Sequence, residues 1–133
     1  MNTDSLHQHH PGQLSPEYLI VTVNNTKYVL PVKNILRLEA IRIYTVIYVK
    51  NKEQYICSKH LKAICEDLHS GSFFRIHKSH VINLDEVKGY KEGRGGQVIM
   101  SDNKVLDVSQ RKKSAFLKKF YELYKVPQEK RVG

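Results

Sequence analysis

Ile35-Leu36-Arg37-Leu38-Glu39-Ala40, followed after Ile41-Arg42 by Ile43-Tyr44-Thr45-Val46-Ile47-Tyr48-Val49-Lys50, is the stretch whose reading decides the fold. Both segments have the period of a β-strand. In the second, Tyr44, Val46 and Tyr48 lie on one face, and Ile43, Thr45, Ile47 and Val49 on the other. Both faces are largely apolar, which predicts a strand between two packed layers.

Strand periodicity continues outward in both directions. Upstream, Leu19–Val23 and Lys27–Val32 flank Asn24-Asn25-Thr26, a polar turn suited to positive φ, so a β-hairpin is expected. Downstream, Asn51-Lys52 turns the chain into Gln54–Ser58. Phe73–His77 and Val81–Leu84 are short apolar pieces separated by Lys78-Ser79-His80. Val87–Lys91 and Gln97–Ser101 flank the glycine-rich loop Glu92–Gly96, and Asp102-Asn103 leads into Lys104–Val108. Two segments change period. Leu61, Ile64, Cys65 and Leu68 form one helical stripe, with Ser58 as expected N-cap and His69-Ser70-Gly71 as its end. Phe116, Phe120, Leu123 and Tyr124 form another, capped by Ser109 and stopped by Pro127. The expected fold is mainly β, with about ten short strands and two helices.

The 133 residues, 15.5 kDa, leave room for one domain. Its expected limits are 17–125, with a polar tail over 1–16 and a frayed C-terminus over 126–133. The apolar runs, such as Val46–Val49, fall far short of the ~20 residues that span a bilayer. The first sixteen residues have no apolar h-region, so no cleavable leader is expected. Two cysteines, Cys57 and Cys65, favour a reducing cytoplasm over a disulfide scaffold.

Net charge is the functional clue. The chain carries +9, and Lys104–Gly133 alone carries +6, densest at Arg111-Lys112-Lys113. Such a balance suits a polyanionic partner. Other chemistries find less support. Cys57, His60, Cys65 and His69 have a spacing that invites zinc, but the helical stripe wants Cys65 inside, so no metal or other cofactor is expected. His7, His9 and His10 read as incidental. Gly93-Arg94-Gly95-Gly96 lacks the following Gly-Lys-Ser/Thr and helix of a phosphate-binding loop and reads as a hairpin turn. Ser79 stands between His77 and His80 without the makings of a triad, and no enzyme is expected. Arg42, Lys78 and Arg111, with Thr45, Ser79 and Gln110 on or beside the same connections, supply the long donors that phosphates and base edges take. The turn at Ser109–Lys112 adds helix-terminal N–H groups. Solvated loop charge explains the same residues equally well on physical grounds alone.

Three segments resemble the LytTR family of bacterial DNA-binding domains. They are Ile35–Ala40 with Tyr44–Tyr48, Phe73-Phe74-Arg75-Ile76-His77-Lys78-Ser79-His80-Val81-Ile82-Asn83-Leu84, and Leu106-Asp107-Val108-Ser109-Gln110-Arg111. The resemblance covers about Leu19–Phe120. It departs at Ile41-Arg42-Ile43, where the family often has an Asp-Gly-Asn-like turn. It implies an elongated stack of small antiparallel sheets and a cytoplasmic transcription regulator that inserts loops into successive major grooves. Carried over by position, the loops are Ala40–Thr45, His77-Lys78-Ser79 and Ser109-Gln110-Arg111. Base contacts would come from Lys78, Arg111 and Thr45 or its neighbour Arg42. Phosphate contacts would come from Arg75, His77, Ser79, Ser109, Gln110, Lys112 and Lys113. Arg75 could instead pair with Glu39, and His77 could position Lys78 through the backbone. The implied partners are double-stranded DNA, a second copy on a direct-repeat site, and a receiver domain or sensor kinase upstream; no membrane is implied. The chain would be a stand-alone regulator or an excised output domain. The alternative reading is a basic module that binds an acidic protein. An RNA binder would want exposed aromatics for stacking, whereas most Phe and Tyr here fall on core-facing positions.

Overall fold

The computed structural model describes residues 17–125. The expected tail over 1–16 with its three histidines, the fraying over 126–133 and the stop at Pro127 lie outside the described residues.

β1 (Tyr18–Val23) and β2 (Thr26–Pro31) pair as a two-stranded hairpin. Asn24 and Asn25 have φ of 50° and 67°, the two positive values of a type I′ turn, which follows the natural strand twist. β3 (Ile35–Ile41), β4 (Tyr44–Val49), β5 (Gln54–Cys57), β6 (Phe73–His77) and β7 (His80–Asn83) form one antiparallel sheet in the order β5-β4-β3-β7-β6. β8 (Val87–Lys91), β9 (Gln97–Met100) and β10 (Val105–Asp107) make a third sheet in the order β10-β9-β8. Helix α1 (Leu61–Asp67) links β5 to β6, and α2 (Gln110–Leu123) ends the fold. The mainly β stack of small sheets with two helices is the fold the sequence implies.

The five-stranded sheet separates two cores. Leu38, Ile47, Val49 and Val81 face the first, under Leu19, Val21 and Leu30 of the hairpin and Leu61 and Ile64 of α1. Ile76 and Ile82 face the second, with Val98, Met100, Leu106 and Phe116 from the third sheet and α2. The two-layer expectation for β4 holds fully on one side only. Thr45, Ile47 and Val49 are buried, whereas Tyr44 on the other face is exposed, because the second layer covers the β7–β6 half of the sheet.

Helix ends differ from expectation in detail. His60, not Ser58, occupies the N-cap of α1, and no side chain caps it. Ser109 does occupy the N-cap of α2, but its hydroxyl makes no capping bond. Its N–H is instead given to the Ile76 carbonyl at 2.8 Å, so a sheet edge fixes where the helix starts. On α2, Phe116 is buried, but Leu123 and Tyr124 are 46% and 37% exposed. The Tyr124 hydroxyl reaches back to the Leu84 carbonyl at 2.6 Å. Cys57 is buried in β5 and Cys65 half-buried on α1, where burial pushes its thiol up.

A polar cluster sits on the second face of the large sheet. Arg37 is 4% exposed, lies 3.7 Å from the Tyr48 ring centre and donates to Glu39 Oε1 at 3.4 Å. Tyr48 donates to the same oxygen at 2.9 Å. Glu39 therefore partners Arg37, not Arg75.

His80 is paired in register with Glu39. Burial holds its imidazole below the ordinary value; His77, Arg37 and Lys104 push the same way and Glu39 opposes them. The unfolded histidine titrates near 6.5, so below about that pH the unfolded chain takes up more protons than the folded one. The His80 contribution to stability is thus complete above that value and fades as pH falls toward the lowered native one. Thermal melts at about pH 7.5 and about pH 5.5 should show a drop that is smaller in His80→Gln. An equal drop in both proteins would contradict the assignment.

Candidate nucleic-acid interface

Strand order brings the separate turns together. β3 and β7 are neighbours and antiparallel, so the turn after β3 and the turn before β7 emerge at the same end of the sheet. The Ala40 N–H bonds the Ser79 carbonyl at 2.9 Å and joins them directly. The turn centres are two strand spacings apart, about 10 Å. The start of α2 is attached to the next edge through the bond from Ser109 to Ile76, one residue before His77. Arg42-Ile43, Lys78-Ser79 and Ser109-Gln110-Arg111 therefore form a row along one end of the molecule.

Arg42, Lys78 and Arg111 are exposed, and none makes an ion pair among the described residues. Arg42 takes φ of 57°, a left-handed conformation that costs a residue with a Cβ about 1–2 kcal/mol. This is the physical content of the departure at Ile41-Arg42-Ile43. Arg42→Gly should raise stability in urea titration by up to ~1 kcal/mol, the steric relief being partly offset by the freer unfolded chain. The same variant should bind duplex DNA more weakly; a loss of stability would show that the side chain is held by contacts.

The β6–β7 turn is braced from below. Arg75 Nε donates to the His77 carbonyl at 3.4 Å, and Nη2 donates to the Lys78 carbonyl. His77 Nδ1 accepts the Ser79 N–H at 3.1 Å. A bulge at Ile76 turns that side chain into the second core while Arg75 and His77 keep their register with Val81 and His80. Arg75 and His77 thus position Lys78, and Ser79 is half-buried beside it.

Thr45 is placed differently from the other base-contact candidates. It is 0% exposed, and its hydroxyl donates to the Lys59 carbonyl at 2.7 Å. Its role here is to hold the segment after β5 beside the first turn. Lys59, which sequence reasoning missed, stands there at the same sheet end, 2.5 Å from Asp67. Its position follows from strand pairing, for which the sequence has no local signal. Gln110 is exposed, and Ser109, Lys112 and Lys113 are half-buried at the start of α2.

The profile of the LytTr DNA-binding domain matches residues 25–121. The chain belongs to the LytTR family of DNA-binding domains. A solved structure described as the LytTr DNA-binding domain of a response regulator from Bacillus cereus superposes with a TM-score of 0.63 at 18% identity, covering 82% of this chain and 97% of that one. A search of the curated proteins finds no match. The LytTR match spans all three turns, the second core and all of the first core except Leu19 and Val21 of β1. The family is one of DNA-binding domains, which implies DNA binding and transcription regulation. No helix among the described residues is long and apolar enough to cross a membrane.

Proposed function

We propose that this LytTR domain binds double-stranded DNA sequence-specifically, its row of three turns lying along one face of the duplex with the base-reading side chains in the major groove, and so regulates transcription from the cytoplasm. Lys78 and Arg111 read base edges, with Arg42 on the first turn. Lys112, Lys113 and the N–H groups at the start of α2 take phosphates, with Ser109, Gln110 and Ser79 at hand. Arg75 and His77 act mainly through the turn they brace. The observation that carries this reading is the row of three cations, in no ion pair among the described residues, tied together by Ala40–Ser79 and Ser109–Ile76 hydrogen bonds. A rigid row reads sequence because each donor meets a fixed base position without ordering itself on contact.

The domain serves as the output module of a response regulator or as a stand-alone regulator. Two copies occupy a direct repeat, under the control of a receiver domain or sensor kinase. Selection from random duplex DNA with the purified chain tests the reading. A motif of about nine base pairs, or its repeat, is expected from turns set over roughly one helical turn. Recovery of unenriched DNA would reject it and leave the acidic-protein partner as the better account of the charge.

A further inference from the structure

The glycine-rich hairpin loop between β8 and β9, set aside on sequence grounds as a plain turn, lies next to the third DNA-facing turn. The Val108 N–H bonds the Gly96 carbonyl at 3.2 Å, one residue before the Ser109 cap. Gln97 Nε2 donates to Asp107 Oδ1 at 2.8 Å and closes the same end of the third sheet. Arg94 is two residues from Gly96, so its backbone lies within about 7 Å of that hydrogen bond. The side chain is exposed and in no ion pair among the described residues.

The loop is shaped to stay there. Gly93, Gly95 and Gly96 have φ of 127°, 85° and 71°, values that only glycine takes readily. At Gly96 a Cβ would sit 2.2 Å from the Tyr90 hydroxyl and 3.3 Å from Lys113 Cε. The missing side chain lets the loop backbone approach the Lys113 stem and Tyr90, whose ring packs on Phe116 at the second core. Arg94 is thereby held beside the third turn, the one that carries Arg111.

We propose that Arg94 is a fourth DNA contact, a clamp on one backbone phosphate flanking the base-reading turns on the Arg111 side. This rests on the DNA-binding reading above. A single guanidinium at the end of a long exposed side chain suits a phosphate better than a base edge, since phosphates recur along the backbone and tolerate a donor that is not held in one orientation. The contact adds affinity without sequence preference.

The test compares the native domain, Arg94→Gln and Arg111→Ala on two duplexes, one of random sequence and one carrying the selected motif. Affinities are measured over a salt series. Arg94→Gln should weaken binding to both duplexes alike and reduce the slope of log K against log salt by about 0.9, the value for one phosphate. Removing the flanking base pairs on the Arg111 side should weaken the native domain but not Arg94→Gln. Removing those on the Arg42 side should affect both equally. A native salt slope in Arg94→Gln, or a loss confined to the selected motif, overturns the clamp. If Arg111→Ala loses sequence preference while Arg94→Gln behaves as native, the clamp alone fails. If the native domain binds no duplex, the clamp fails together with the reading beneath it. An unchanged melting temperature for Arg94→Gln, expected for an exposed loop side chain, confirms that binding and not folding is being read.

Discussion

Arg111→Ala should lower affinity for the selected DNA site by about 1–3 kcal/mol, roughly five- to 150-fold, and relax preference at one base position. Lys78→Ala should do the same at a different position. The donors differ in how they are held. Lys78 stands on a turn whose two carbonyls and one N–H are all taken by Arg75 and His77. Arg111 stands in the first turn of a helix fixed at Ser109. Neither side chain is engaged in an ion pair within the described protein, so its removal should leave the melting temperature within experimental error. Competition binding with single-base variants of the site is the measurement. Equal losses on selected and random DNA would reassign both residues to phosphate.

The largest effect on stability is expected at Phe116, which is fully buried. Its ring lies 5.7 Å from Tyr90, 5.6 Å from Phe120 and 6.1 Å from Phe74. Phe116→Ala should therefore cost about 3–5 kcal/mol in urea unfolding, the range for an aromatic truncated in a packed core. For a domain whose total stability is of order 5–15 kcal/mol, that is a large share. Binding should fall with it, because Phe116 joins α2 to the third sheet and to β6 of the large sheet and so sets where Arg111 stands. Leu123→Ala on the same helical stripe should cost far less, about 0.5–1 kcal/mol, since nearly half of that residue's surface is exposed. Similar costs at the two positions would mean that the whole stripe is buried in solution.

The same pair shows how far local sequence reaches. Helical spacing placed Phe116 and Leu123 on one face and could not tell them apart, because burial depends on how far the opposing sheet extends. Alternation found β4 and its apolar faces, but not that Tyr44 would be left open where the second layer stops. Thr45 shows the limit at the interface. Position in the family pattern put it among the base readers, whereas strand pairing with Cys57 brings the Lys59 carbonyl to its hydroxyl. Arg37, not Arg75, holds Glu39. The two residues are separated by a single strand position and lie on one face of β3, while Arg75 reaches the next turn.

Local chemistry alone was enough for the strand and helix inventory, the Asn24-Asn25 turn, the surplus of late positive charge and the three polar connections rich in Arg and Lys. Each is written in neighbouring residues, through period, φ preference or formal charge. Only the tertiary structure decided that those connections share one end, which of their side chains face outward, and that the Glu92–Gly96 loop lies beside the third of them. The order β5-β4-β3-β7-β6 places residues about forty positions apart within one hydrogen bond, and no short-range pattern encodes a pairing made across that distance.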